Sequence, residues 1–276
     1  MLVTSSGSPL LLAGQQVLHS GTFVDNFQRV TSLPHAPLGM GWTDLGSLFP
    51  QSYDPARIYN GGVTSGDPYA RGNNGATMAP DDDWEHYADY PGMAGGGIGG
   101  AVRNLGTGQF NYDVTVRMSG VLSGGTEHGA EAEGTPLVGV DTATPGVGYG
   151  AWLVNMRNVI APYNTDVFVF LIGTINNPPE SFTVYYRSGL VTHTDGQARD
   201  LTIKYRGSTI TIWLDDVQVT GLIDHQTDLP ASSTITLPAA HQNKSWAGFA
   251  FDHHITPPAD ITTTPAVLRY SHQIIT

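Results

Sequence analysis

The sequence contains no cysteine. That excludes disulfide bridges, thiolate metal sites and a thiol nucleophile. Lysine is almost absent as well, with 2 Lys beside 10 Arg, and the acids are 19 Asp against only 5 Glu. At a formal charge of -12 and without any run of Lys or Arg, the chain lacks the basic stripe that a nucleic acid requires. The same acidity opposes an anionic membrane surface. No apolar run approaches the ~20 residues that span a bilayer, so neither nucleic acid nor membrane insertion is expected. The opening "MLVTSSGSPLLLAGQQVLHS" has no positive flank and only a short apolar run at residues 10–13. It is not read as a signal peptide. The sequences G-x-S-x-G and H-E-x-x-H and the Walker pattern are all missing, and no segment shows a helical period.

What is abundant points to strands. Gly (34) and Pro (18) punctuate the chain, and charged residues make up only 13%. Thr, Val and aromatics are spread throughout, a mixture that favours short strands with wide loops. Asp without Glu also belongs to turns more than to helices. A length of 276 residues allows one or two domains of roughly 100–200 residues, and single all-β domains often reach about 250.

Residues 1–20 read as an N-terminal arm that docks to a neighbouring subunit, and residues 21–276 as one domain. Strands are predicted at 109–121, 147–156, 166–173, 181–188, 246–254 and 266–276. The clearest segment is "LTIKYRGSTITIWLDDVQVTG", residues 201–221. There Leu201, Ile203 and Tyr205 alternate with polar neighbours. A Gly207-Ser208 turn follows, and Ile210, Ile212 and Leu214 alternate again before Asp215-Asp216 turns the chain a second time. That is a three-stranded meander. Two stretches, about 62–100 and 123–146, read as long loop insertions; between 50 and 100 only Arg57–Tyr59 reads as a strand. Ten or more short strands imply a sandwich or a barrel, because their edges must be covered.

The stretch "GTFVDNFQRVTSLPHAPLGMGWTDLG", residues 21–46, places Asp25 between Phe23 and Phe27, with Arg29 close behind. Leu38-Gly39 and Trp42 come after a Pro-broken spacer. This resembles the D-x-F-x-R … L-G-x-x-W entry of concanavalin A-like, laminin-G-like jelly-roll domains, in the version found in minor tail and other virion proteins of actinobacterial phages. The departure is the longer Pro-containing spacer. Ile58-Tyr59-Asn60-Gly61, the 201–219 meander, Gly248-Phe249-Ala250-Phe251 and a final strand follow in the family's order. The resemblance implies an all-β concanavalin A-like jelly-roll β-sandwich of two antiparallel sheets, with the first and last strands adjacent. It implies Phe23, Asp25, Phe27, Arg29, Leu38 and Trp42 as structural residues: Phe23 and Phe27 anchoring the first strand beside Val267–Ile275, Asp25 and Arg29 pairing across strands, and Leu38 and Trp42 capping the core. It further implies a phage virion protein released by lysis. Such a protein would be a minor tail or tail-tip component that contacts other virion subunits as a symmetric homo-oligomer such as a trimer, or that recognises host-surface glycan. A head decoration protein and a free carbohydrate-binding lectin are the alternatives, with a polysaccharide hydrolase or lyase ranked behind them.

Few residues invite a chemical role. "DDDWEHYADY" (81–90) offers Trp84, Tyr87 and Tyr90 as stacking surfaces for a sugar, with Asp82 among three acids suited to calcium. The competing reading, an ordered loop whose aromatics cover a sheet edge or a subunit contact, has the stronger base rate because the calcium-loop spacing is missing. Apart from that calcium possibility no cofactor is expected. Glycosidases need paired carboxylates. Glu131 and Glu133 have i, i+2 spacing, but they sit in the Gly-rich "SGGTEHGAEAEGTP" and read as a solvated loop, so catalysis is not expected. "GGGIGG" (95–100) fits G-x-G-x-x-G literally without the strand and helix that motif requires, and reads as a loop. In "FDHHITPP", His253 and His254 face opposite ways on a strand. Asp252 with His254 would need a third ligand from elsewhere; His225 and His241 are unassigned. Trp213 shares a face with Thr209 and Thr211, and burial under a loop is favoured over a ligand role.

Overall fold

The computed structural model describes residues 11–12, 15–17, 23–25, 35–37, 41–45, 54–59, 75–78, 95–119, 131–142, 146–155, 167–176, 182–194, 197, 199–255 and 269–275. In chain order the strands are β1 Leu11–Leu12, β2 Gln15–Val17, β3 Phe23–Asp25, β4 His35–Pro37, β5 Thr43–Asp44, β6 Asp54–Tyr59 and β7 Gly75–Met78. They continue as β8 Gly95–Asn104, β9 Asn111–Ser119, β10 Glu131–Val138, β11 Gly146–Asn155, β12 Phe168–Asn176 and β13 Phe182–Arg187. The rest are β14 Arg199–Arg206, β15 Thr209–Leu214, β16 Val217–Gln218, β17 Ile223–Asp224, β18 Ile235–Thr236, β19 Trp246–Ile255 and β20 Arg269–Ile275. One 3-10 turn, Ala239–His241, leads into β19.

Two antiparallel sheets result. Sheet I runs β1-β2-β3-β20-β9-β14-β15, with β16 and β18 both beside β15. Sheet II runs β8-β19-β10-β11-β12-β13-β17, with β5 and, in one short parallel pairing, the start of β6 on the other side of β8. β3, the first strand after the N-terminal segment, is the neighbour of the last strand, β20, with Phe23 opposite Ile275. Residues 11–12 and 15–17, from the segment read as a docking arm, extend sheet I through β2.

Alternation within the strands makes the core. On sheet I, Tyr112, Val114 and Val116, then Leu201, Ile203 and Tyr205, then Ile210 and Ile212 are all buried on one face. They meet Tyr149, Ala151, Phe170, Ile172 and Phe249 from sheet II. Each fully buried aliphatic or aromatic side chain here stabilises the fold by about 1.5–3 kcal/mol. The two turns of the meander form for different local reasons. Gly207 carries the positive φ (62°) required at the first central position of a II′ turn. Asp215 and Asp216 both have positive φ (47° and 64°), the pair that a I′ turn demands. Asp tolerates that left-handed region better than most residues.

Three loop expectations are corrected. Between residues 50 and 100 the chain forms β6, β7 and the start of β8, not one short strand. The segment read as a long loop at 123–146 contains β10, and Glu131 and Glu133 lie in that strand. "GGGIGG" is the first half of β8, fully paired with β19. The reason is close backbone approach, which local pattern does not reveal: a Cβ on Gly100 would sit 2.3 Å from the Phe249 carbonyl oxygen, and one on Gly248 only 1.9 Å from that of Ala101. Glycine is required there because two strands meet, not because the chain turns.

Candidate functional site

The outer face of sheet I is polar and laid out in cross-strand pairs. Thr115 and Thr202 share a hydroxyl–hydroxyl hydrogen bond of 2.7 Å, and Arg117 grips Asp200 through two bonds of 2.8 and 2.7 Å. Arg206 pairs with Asp113 at 2.6 Å. Strand alternation brings Thr209, Thr211 and Trp213 to this same outer face, while Ile210, Ile212 and Leu214 turn inward. Trp213 is therefore half-buried on the outside and not a core residue, which corrects the expectation that it is buried. Its indole N–H donates to the Thr211 hydroxyl at 2.9 Å, and the Lys204 ammonium lies 3.8 Å from the ring centroid. A cation–π contact of this kind contributes about 0.5–1 kcal/mol where exposed. The outcome is a fixed indole beside a cation and a row of threonine hydroxyls.

The opening motif is built differently. The Trp42 indole N–H donates to the Asp25 carboxylate at 2.7 Å. Trp42 meets Phe23 and Phe249 edge-on at 5.5 and 5.3 Å. The Arg103 guanidinium caps the Phe23 ring at 3.4 Å; desolvation lowers its pKa while the charge of Asp25 opposes that shift. Asp25 is thus held by Trp42 and faces Arg103, a partner that no local motif announces. Phe27, Arg29 and Leu38 lie outside the described residues.

A polar seam joins the sheets at the end near the 3-10 turn. Tyr112 and Tyr205 stack at 4.7 Å. The Tyr205 hydroxyl donates to the His241 carbonyl at 2.8 Å and accepts from the Lys244 N–H at 2.9 Å. The Tyr112 hydroxyl accepts from the Gly139 N–H at 3.1 Å. The buried imidazole of His241 bonds the Gly139 carbonyl through Nδ1 at 2.9 Å, and Lys244 pairs with Asp141 at 2.9 Å. Desolvation lowers the His241 pKa; this histidine is structural.

Trp84, Tyr87, Tyr90 and Asp82 lie outside the described residues. His225 is exposed on the turn after β17. Among the described residues no group of three or more His, Cys, Asp or Glu side chains could hold a metal ion. The backbone register nonetheless joins two of the sequence candidates. In the β10–β19 pair, Glu131 is opposite His254 and Glu133 is opposite Asp252. Residues 119 or more positions apart in sequence thereby become neighbours in one sheet.

The two antiparallel sheets, the pairing of β3 with the last strand and the shared apolar interior define the class: an all-β, concanavalin A-like jelly-roll sandwich. No protein-family model matches the chain, and no curated protein does. Among solved structures it is similar to the carbohydrate-binding module CBM66 from Bacillus subtilis, at 12% identity over 83% of this chain and 91% of that one, with a TM-score of 0.37. It is also similar to a mixed-linkage glucan GH16 protein of Bacteroides ovatus, at 10% identity over 92% and 99% with a TM-score of 0.44. A third is the CBM2 module of the evolved Dit of Lactobacillus casei BL23 phage J-1, at 10% identity over 64% and 68% with a TM-score of 0.39.

Proposed function

We propose that the chain is a non-catalytic glycan-recognition module. The observation that carries this reading is Trp213 on the outer face of sheet I, where the sequence alone favoured burial. Sugar recognition needs a flat apolar surface bordered by hydrogen-bonding groups. The half-exposed indole, the Lys204 ammonium and the Thr211 hydroxyl meet that need on one rigid sheet, with the Thr115–Thr202 hydroxyl pair behind them. The Lys204 side chain beside the indole favours a glycan bearing acidic groups. The segment Trp84–Tyr90, outside the described residues, is the candidate for the same chemistry that the sequence suggests.

The test is binding of the purified protein to an array of bacterial cell-wall polysaccharides, neutral and acidic. Binding that falls at least about tenfold in Trp213→Ala, the loss of roughly 1.4 kcal/mol, supports the sheet platform. Loss in Trp84→Ala with Trp213→Ala unaffected moves recognition to that segment. Turnover of any polysaccharide would overturn the non-catalytic reading.

The setting we propose is a phage virion, as a minor tail or tail-tip component present in symmetric copies. Its support is the D-N-F-x-R … L-G entry, with the rest of the motif series following in order. Peptides of this chain in gradient-purified virions would test it, and a gene lying away from tail and capsid genes would count against it.

A further inference from the structure

We propose that the Trp213 platform takes a hexuronic acid residue of a glycan, with Gln218 holding its ring hydroxyls and Lys204 meeting its carboxylate. This rests on the reading of the outer face of sheet I as a glycan site, and it names the sugar class and a specificity residue for that site. The Lys204 ammonium stands over the indole, 3.8 Å from the ring centroid, and so occupies one face of that ring. It comes from β14, on one side of β15. A sugar therefore stacks on the other face. Across β15 from Lys204 is β16, which brings the half-buried Gln218 directly opposite Trp213. Opposed positions of an antiparallel pair share a face, with Cβ atoms about 4.5–5.5 Å apart. Gln218 thus borders the indole on the side that Lys204 leaves open.

The two borders differ in chemistry. The Gln218 side-chain amide has no hydrogen-bond partner among the described residues. It offers both donors and an acceptor oxygen, which matches adjacent ring hydroxyls that each donate and accept. Lys204 is a single point charge already held in place by the ring, so little side-chain freedom is lost when an anion arrives. One pyranose with a carboxylate at its periphery spans from one border to the other, because β14 and β16 each lie only about 4.8 Å from β15. Two observations select a carboxylate over a phosphate or sulfate. Phosphate-type anions are met best by a guanidinium fork, and Arg117 and Arg206 on this face are tied to Asp200 and Asp113. A net charge of -12 also repels a densely charged polyanion, which leaves isolated carboxylates among neutral sugars as the better match.

Isothermal titration with tetrasaccharides that alternate glucuronate or galacturonate with a neutral sugar, each beside its carboxyl methyl ester, tests the assignment. The expected result is saturable binding of at least one acid, weakened about tenfold or more in its ester, since hydrogen bonds to charged groups are the stronger ones. Lys204→Met keeps the stem beside the indole and should abolish the preference for acid over ester. Gln218→Ala should weaken acid and ester alike by about three- to tenfold, the worth of one or two neutral hydrogen bonds. Gln226→Ala, in the turn after β17 of sheet II, should stay within about twofold of wild type. Circular dichroism separates lost binding from lost fold. If Gln218→Ala unfolds, the isosteric Gln218→Glu replaces it and should weaken the acid more than the ester. The proposal is overturned if no uronate binds, if acid and ester bind equally, or if Gln218→Ala binds like wild type. A neutral glycan that binds in place of any uronate and is lost in Trp213→Ala overturns the uronate assignment and leaves the platform reading standing. Uronate binding unchanged in Trp213→Ala overturns both.

Discussion

Replacing Tyr205 by Phe removes one oxygen atom from the seam between the sheets and leaves the ring in place. The stack on Tyr112, with centroids 4.7 Å apart and planes 20° from parallel, is kept, and so is the burial of a side chain at 0% exposure. What goes is a hydroxyl with two duties: donating to the His241 carbonyl and accepting from the Lys244 N–H. Both orphaned groups are backbone atoms of the segment that leads into β19, and neither finds a new partner without moving it. An unsatisfied buried polar group costs about 1–3 kcal/mol. The Lys244 N–H is only part-buried, so the sum falls at about 2–4 kcal/mol. For a domain of this size that lowers the melting temperature by about 5–15 °C. Urea denaturation followed by tryptophan fluorescence gives the free energy directly. The reasoning fails if Tyr205→Phe unfolds within about 0.5 kcal/mol of wild type, the range of a neutral surface change.

Two more outcomes follow from the same geometry. His241 is 4% exposed, and desolvation lowers its pKa, against the Gly139 carbonyl and Asp141, which raise it, and alongside Lys244, which lowers it further. The unfolded chain therefore takes up this proton more readily than the folded one, so the stabilisation is present above about pH 6.5 and is lost as pH falls toward the depressed folded value. Denaturation across pH 7.5 to 5 should show that slope in wild type and a flatter profile in His241→Gln; parallel profiles would refute it. Gly248→Ala introduces a Cβ 1.9 Å from the Ala101 carbonyl oxygen, a backbone atom that cannot swing aside. A cost of about 3 kcal/mol or more is expected, at the top of the overpacking range. A fully stable variant in the same denaturation assay would mean that β8 and β19 are further apart than described.

The meander at 201–219 is legible in sequence because everything that defines it is local. Alternation fixes the faces, and Gly207, Asp215 and Asp216 supply the turn conformations. The strands at 111–119, 146–155, 168–176 and 182–187 are legible for the same reason, and the shortage of Glu and Lys with the excess of Gly, Asp and Thr excludes a helical protein. β8 and β10 were not legible. Glycine reads as a breaker when only its own neighbours are considered, and Glu131 and Glu133 read as solvated because no apolar residue alternates with them. Both segments pair along their length with β19, more than 100 residues away in the chain.

Composition and period determined the class of fold: all strand, two faces, edges to be covered. They also determined which chemistries lack residues, above all thiol chemistry and the binding of polyanions. Only the tertiary structure decided what stands beside what. Trp213 went outward beside Lys204 because β15 lies beside β14 in sheet I. Asp25 met Trp42 and Arg103 because β3 closes against β20 while β8 crosses beneath. Glu133 came to face Asp252 because β10 pairs with β19. Propensity is a property of a few consecutive residues, whereas register is set by two segments that share a buried face, and that free energy exists only once both are in place.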